Sequence, residues 1–308
     1  MFDRYNRTSF KKALENPEIF YQEVQRIYSN PARKFKNWRF KSQYDGIDVM
    51  SEDWDNMYIL DACRYDYFKK VNAIEGDLRP VISKGGHSRT FMEENFLGRK
   101  LHDTVYVTAN LHADFLDQDI FYTVEMIPYS ERNPERVASC ARKMHQRYPD
   151  KRIIVHFMQP HKPYLGPTGE QIREQLRSRG RHDLIKRGNF INWEAHRRGQ
   201  FPTEKFEQAY RENIEIALSH VEKLIDEIAG KSVVTADHGE LFGERVYPLC
   251  EPLYGHPDNV YIKELLTVPW LEIRADSRRE ITTEEPIGFE PLDSDLAKRR
   301  LQELGYVQ

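Results

Sequence analysis

Residues 232–244 read SVVTADHGELFGE. Small and β-branched residues run without polar alternation straight into Asp237, His238 and Gly239. A short run of that kind reads as a strand buried on both faces, as in a parallel sheet covered by helices. It brings an anionic oxygen and an imidazole side by side to a strand's carboxyl end, with Gly239 permitting close backbone approach. Open α/β sheets place their ligands at that end. A carboxylate beside an imidazole is a donor pair suited to a divalent metal.

The same grammar recurs outward from this stretch, in MYILDA (57–62), DTVYVTAN (103–110), RIIVHFM (152–158) and VPWLEIR (268–274). Between the runs lie helical patterns, notably Asn133–Tyr148 and the long amphipathic Glu204–Ala229. Buried runs alternating with helices predict an α/β fold on a parallel sheet, with all five runs as parallel strands. Residues 1–55, with a helical pattern over Pro17–Tyr28 and the basic run ARKFKNWRFK, read as a basic helical arm packed on a catalytic domain spanning 56–308. The basic face reads as solvated surface. Between Pro167 and Phe206 the chain carries Arg173, Arg177, Arg179, Arg181, Lys186, Arg187, Arg197 and Arg198 and no strand pattern. Residues 168–205 therefore read as a lid-like insertion over the sheet's carboxyl edge. Facing the cleft, these cations would select a polyanionic substrate; facing solvent, they would select nothing.

The composition excludes several classes. With 308 residues, 39% hydrophobic and 12% aromatic, the chain can bury a large core and is not a disordered one. Its 46 Lys+Arg stand against 49 Asp+Glu, so no global charge draws it to nucleic acid or membrane, and no nucleic-acid partner is expected. Three cysteines, Cys63, Cys140 and Cys250, cannot all pair and show no Cys-x-x-Cys spacing, which points to a reducing, cytoplasmic compartment. The amino terminus lacks the pattern of a secretory signal, and no apolar window is long enough for a membrane span.

Further polar residues follow strand-like runs. In YILDACRYD, Asp61 either caps the next helix or joins Asp237 and His238 as a third ligand across neighbouring strand ends. Arg64 either faces an anion in the same cleft or bridges to Asp66. His161 lies in HFMQPHKPYLGP between Pro160 and Pro163, and His256 in LYGHP between Gly255 and Pro257, both in stiff turns that fix a side chain at low entropic cost. In SKGGHSRTF (83–91), Gly85 and Gly86 permit approach to an anion, while Ser88 and Thr90 offer hydroxyl nucleophiles at the head of a helix.

In the order LDACRYD, SKGGHSRT, HFMQPHKPY, VVTADHGELFGE and YGHP before LLTVPW, the chain resembles the sulfatase-like branch of the alkaline phosphatase superfamily from about residue 56 to 275. TADHGE with YGHP carries the resemblance most specifically, and LQELGY is similar to the tail of many sulfatase-like proteins. The resemblance implies an alkaline-phosphatase-like three-layer αβα sandwich with a mostly parallel sheet. It implies one divalent cation (zinc, manganese, magnesium or calcium) on Asp61, Asp237, His238 and the nucleophile Ser88, preferred to Thr90. His161 and His256 would hold the transferring group, protonate the leaving oxygen or help bind a second metal, with Lys162 adding positive charge toward the substrate. Ser88-Arg89-Thr90-Phe91-Met92 lacks the proline and arginine of formylglycine sulfatases, which argues for an unmodified nucleophile and phosphate chemistry. Gln159 stands where two-metal relatives offer Asp, which favours a single tightly held ion. The implied activity is hydrolysis of a phosphate or sulfate ester, of a small molecule or anionic glycan, through a covalent Ser88 intermediate. Phosphoryl or phosphoalcohol transfer to a glycan on the same site is the alternative, and a metal-free anion-binding module the third reading.

Overall fold

Apolar runs without alternation must be covered on both faces, and β1 (Asn56–Asp61), β5 (Arg152–Pro160) and β8 (Ser232–Ala236) meet that demand by lying side by side at the sheet's centre. The computed structural model describes residues 34–35, 37–40, 42–186, 188–246 and 251–289. Most of the amino-terminal arm, Arg187, Cys250 and the LQELGY segment lie outside the described residues.

The sheet has seven strands in the order β2-β11-β8-β1-β5-β3-β4, where β2 is Asp77–Ile82, β3 Leu101–Thr108, β4 Phe121–Met126 and β11 Thr267–Ile273. The five strands from β8 to β4 pair in parallel. The expectation that VPWLEIR is parallel is corrected: β11 runs antiparallel to both β8 and β2. A buried run looks the same in either direction. A parallel neighbour needs a crossover that carries the chain back to the sheet's amino edge. After β8 the chain instead forms a hairpin of β9 (Leu241–Glu244) and β10 (Leu253–Gly255), then a four-residue helix (Lys263–Leu266) that leads directly into β11.

Helices flank the sheet: α1 (Tyr65–Val71), α2 (Ser88–Phe96), α3 (Pro134–Arg147), α4 (Pro167–Ser178), α5 (Trp193–Arg197), α6 (Thr203–Glu227) and α7 (Lys263–Leu266). Asn133 caps α3, its side-chain oxygen accepting from the Arg136 N–H at 2.8 Å, and Pro134 fills the first turn where an N–H has no helical partner. α3 buries Val137, Ala138, Ala141 and Met144, while α6 buries Phe206, Tyr210, Ile214, Leu218 and Val221 at helical spacing. Both pack on β5.

The insertion contains α4, α5 and a small antiparallel pair, β6 (Ile185–Lys186) with β7 (Phe190–Ile191), where the sequence showed no strand. Most of its described arginines meet acids close by, while Arg179 donates to the Gln200 carbonyl. Arg173 is buried and binds Glu170 at 2.7 Å and the Tyr164 carbonyl at 2.7 Å; Arg177 reaches Glu170, Arg181 Asp183, and Arg198 Glu194. Among the described residues no helix is long and apolar enough to cross a membrane.

Candidate metal centre

The carboxyl ends of β1 and β8 lie next to one another, because Asn56–Leu60 pairs in register with Ser232–Ala236. Asp61 and Asp237 are thereby brought together, 3% and 0% exposed. The turn after Asp61 puts Ala62 in the left-handed region at φ 61°, a conformation that costs a non-glycine residue about 1 kcal/mol or more. What that turn supplies is a donor: the Ala62 N–H binds Asp237 Oδ1 at 3.0 Å, joined there by the His238 N–H at 2.8 Å. Behind His238, a Cβ on Gly239 would stand 2.3 Å from the Glu264 carbonyl oxygen, so the backbone passes α7 at a distance only glycine allows.

The His238 ring donates Nδ1–H to the Gly239 carbonyl at 2.8 Å, which leaves the Nε2 lone pair pointing away from that carbonyl. Around Nε2 stand Ser88 Oγ at 3.3 Å, Asp237 Oδ2 at 3.5 Å and Asp61 Oδ1 at 3.6 Å. In a tetrahedral site with bonds of about 2.0–2.1 Å, neighbouring donors stand about 3.3–3.4 Å apart, so each of these oxygens stands from Nε2 at about the spacing of a co-ligand. Asp237 Oδ2 has no hydrogen-bond partner, and a buried polar atom left so costs about 1–3 kcal/mol. Burial pushes the Asp61 carboxyl well above its ordinary range, helped by the charges of Asp237 and Glu240. Burial pushes Asp237 up as well, but the neighbouring His238 and His156 outweigh it and hold this carboxyl below its ordinary range. Burial lowers His238 to about 4, keeping the imidazole neutral and able to ligate. Two acids that cannot share a dry site without a proton, a neutral imidazole and an alcohol fit a divalent cation.

Ser88 opens α2, so its hydroxyl lies at the helix's positive end. Thr90, two residues further on, turns its hydroxyl to His87 Nε2 at 3.0 Å instead. Gly85 lets the preceding loop press on the helix: a Cβ there would stand 2.3 Å from the Phe91 nitrogen.

A second group adjoins the first. His256 Nδ1–H donates to Glu240 Oε1 at 3.0 Å, and the His256 ring centroid lies 4.5 Å from that of His238 and 5.2 Å from that of His161. His161, Glu240 and His256 offer ligand atoms within 4.8 Å of one another. Burial, then the neighbouring His256, lowers His161 well below its ordinary range. Lys162 turns into the insertion, where its ammonium stands 3.5 Å from the Trp193 ring centroid and 4.6 Å from that of Phe190; burial lowers it to about 7. A cavity of about 390 Å³ opens beside these groups, lined among others by Gly86, His87, Thr90, His112, His256 and Asp258.

The sequence candidates Asp61, Ser88, Asp237 and His238 thus converge, with His161 and His256 alongside. Arg64 does not join them. Its guanidinium grips Asp66 through two bonds of 2.9 and 2.8 Å, reaches Glu244 and donates to the Glu240 carbonyl, so of its two readings the bridge to Asp66 is the one formed, and the catalytic assignment of Arg64 is withdrawn. Four residues escaped the sequence reading. Glu240 stood in plain sight in TADHGE. Asn110 donates to Asp61 Oδ2 at 2.9 Å, and His156 lies fully buried in β5 with Nε2 3.5 Å from Asp237 Oδ2. Arg132, just before the cap of α3, is buried with its positive charge bearing on Asp61 and His161.

No protein-family model matches the chain, and no curated protein does. Among solved structures it is similar to the periplasmic domain of phosphoethanolamine transferase EptC from Campylobacter jejuni, at 13% identity and TM-score 0.43, over 72% of this chain and 78% of that one. It is similar to the soluble domain of lipooligosaccharide phosphoethanolamine transferase A from Neisseria meningitidis, at 10% identity and TM-score 0.44, over 72% and 76%. A third likeness is a putative sulfatase from Bacteroides thetaiotaomicron, at 12% identity and TM-score 0.41, over 81% and 70%. Structural neighbours of this chain are therefore phosphoethanolamine transferases and sulfatases. Likenesses of this size leave function to the residues of the site.

Proposed function

We propose that the protein is a metal-dependent hydrolase of phosphate or sulfate esters, acting through a covalent ester on Ser88. One observation carries the reading: Ser88 Oγ, Asp61 Oδ1 and Asp237 Oδ2 all lie within 3.6 Å of His238 Nε2. A divalent cation bound there would make the Ser88 hydroxyl more acidic and neutralise a nonbridging oxygen of the ester. Asp61, Asp237 and His238 hold the site, and the start of α2 orients the Ser88 oxygen toward the reacting centre. His256, its Nδ1–H held by Glu240, would as the imidazolium give the leaving oxygen its Nε2 proton and then, as the neutral ring, take one from the attacking water; His161 and Arg132 bear on the equatorial oxygens. The cavity beside Thr90 and His256 takes the alcohol part of the ester. Phosphate is favoured over sulfate because the Ser88 segment lacks the residues that direct nucleophile modification in the sulfatases it resembles.

Two observations favour second readings of detail. The spacing of His161, Glu240 and His256 suits a second cation. The cavity leaves room for an alcohol in place of water as the acceptor, which would make the reaction a transfer. The cysteine pattern supports a cytoplasmic location. Assays of chromogenic phosphate monoesters, phosphate diesters, phosphonates and sulfates, with each divalent metal restored after chelation, test the proposal. Metal-dependent turnover of a phosphate ester is expected; no turnover of any ester with any metal would overturn it.

A further inference from the structure

Behind the metal-facing atoms runs a chain of buried polar groups that the proposed reaction does not use. Asn110 N–H donates to Thr108 Oγ1 at 3.0 Å, and Thr108 stands two residues from Tyr106 on the same face of β3. Tyr106 Oη lies 2.8 Å from His156 Nδ1. His156 Nε2 and Asp237 Oδ2 face each other at 3.5 Å, neither with a closer hydrogen-bond partner, and both residues are fully buried. Tyr106 and Thr108 follow the two-residue period of β3, Asn110 lies two residues beyond its end, and Thr108 pairs in register with His156 of the adjacent β5.

The direction of donation follows from the ends. Were Tyr106 to accept from His156 Nδ1–H, the bare Nε2 lone pair would, in the metal-free protein, face the lone pairs of the Asp237 carboxylate with no cation between them. With Tyr106 donating to Nδ1 instead, Nε2–H points at Asp237 Oδ2. We infer that Tyr106 and His156 form a directed hydrogen-bond relay that positions Asp237, beside Asn110, which holds Asp61 Oδ2. In this relay His156 and Tyr106 are positioning residues; because Asp61, His156 and Asp237 also offer ligand atoms within 4.8 Å of one another, the Nδ1–H tautomer would instead make His156 a ligand. The separation of 3.5 Å is long for a hydrogen bond, and active-site contacts of this kind shorten when a ligand engages the site.

The inference rests on the metal reading of Asp61 and Asp237, and two measurements keep the two apart. In the metal-free protein, ¹⁵N NMR of His156 should show the Nε2–H tautomer, and Tyr106→Phe should convert it to a mixture; an Nδ1–H tautomer in the unaltered protein overturns the relay whether or not metal binds. Manganese and zinc titrations against a competing chelator should then show His156→Leu weakening affinity about 10–100-fold. His156→Gln, whose amide can still donate to Asp237, should recover part of that loss. Unchanged affinity in His156→Leu, or equal losses in both variants, would overturn the positioning role. If His156→Leu fails to fold, the Tyr106→Phe tautomer and affinity decide. If the unaltered protein binds neither cation, the metal reading fails while the tautomer still tests the relay.

Discussion

Replacing Ser88 with Ala separates chemistry from folding more cleanly than any other substitution in this site. The hydroxyl's contact to His238 Nε2 is 3.3 Å, long for a hydrogen bond, and no other residue depends on it for helix capping, since His87 caps α2. Its loss should therefore cost no more than about 0.5–1.5 kcal/mol of stability. The removed oxygen is nevertheless both the nucleophile and one of the four atoms grouped around the proposed cation. Loss of an activated nucleophile costs about 10⁴-fold or more in turnover, which corresponds to about 5.5 kcal/mol in the barrier. Thr90→Val should leave turnover within about tenfold, because the Thr90 hydroxyl is engaged with His87. Steady-state turnover of the best chromogenic ester at saturating metal, set beside thermal melting of the same samples, reads both quantities. Ser88→Ala retaining turnover within tenfold of the unaltered protein, or Thr90→Val collapsing instead, would refute the assignment of the nucleophile.

Other consequences concern charge and packing. Because burial and its acidic neighbours raise the Asp61 pKa above the ordinary 3.8, cation binding should expel a proton below that raised value, and affinity should rise with pH until it is passed; calorimetry in buffers of different ionisation heat would show net proton release, and none would contradict the buried-acid account. Lys162, lowered by burial to about 7 from 10.5, is a group whose folded form binds fewer protons than the unfolded chain. It therefore costs a few kcal/mol below pH 7 and progressively less between 7 and 10.5, so Lys162→Met should raise the melting temperature more at pH 6 than at pH 9.5, and an equal shift at both would sink the point. Gly239→Ala should destabilise by about 2 kcal/mol or more and weaken cation binding, since the new methyl would meet the Glu264 carbonyl at 2.3 Å; a melting temperature equal to that of the unaltered protein would contradict the close passage.

The buried strands were readable because each is an apolar run with its polar residue at one end: β1, β3, β5, β8 and β11 stand within two residues of where the sequence puts them. The edges were not. In β2, DLRPVI carries a proline and is largely exposed, features that demote a strand when read alone but are tolerated at a sheet edge. The reversal of β11 was invisible because burial has no direction. Within the site, Asp61, Asp237 and His238 were legible from their place after strands. Tyr106 and His156 were hidden inside strands, where polar residues look like interruptions of the core. The arginine-rich insertion gave a true count of cations but not the acids that meet them, and Arg64 likewise turned on the position of Asp66 and Glu244.

The central claim is that Asp61, Ser88, Asp237 and His238 grip one cation. Metal content after dialysis, followed by titration of the stripped protein with manganese and zinc, tests it directly when Asp61→Asn, Asp237→Asn and His238→Gln are measured beside the unaltered chain. At least one tightly held equivalent is predicted for the unaltered chain, with each substitution weakening binding about 100-fold or more. A chain that binds no divalent cation, or three variants that bind it as well as the parent does, would contradict the account.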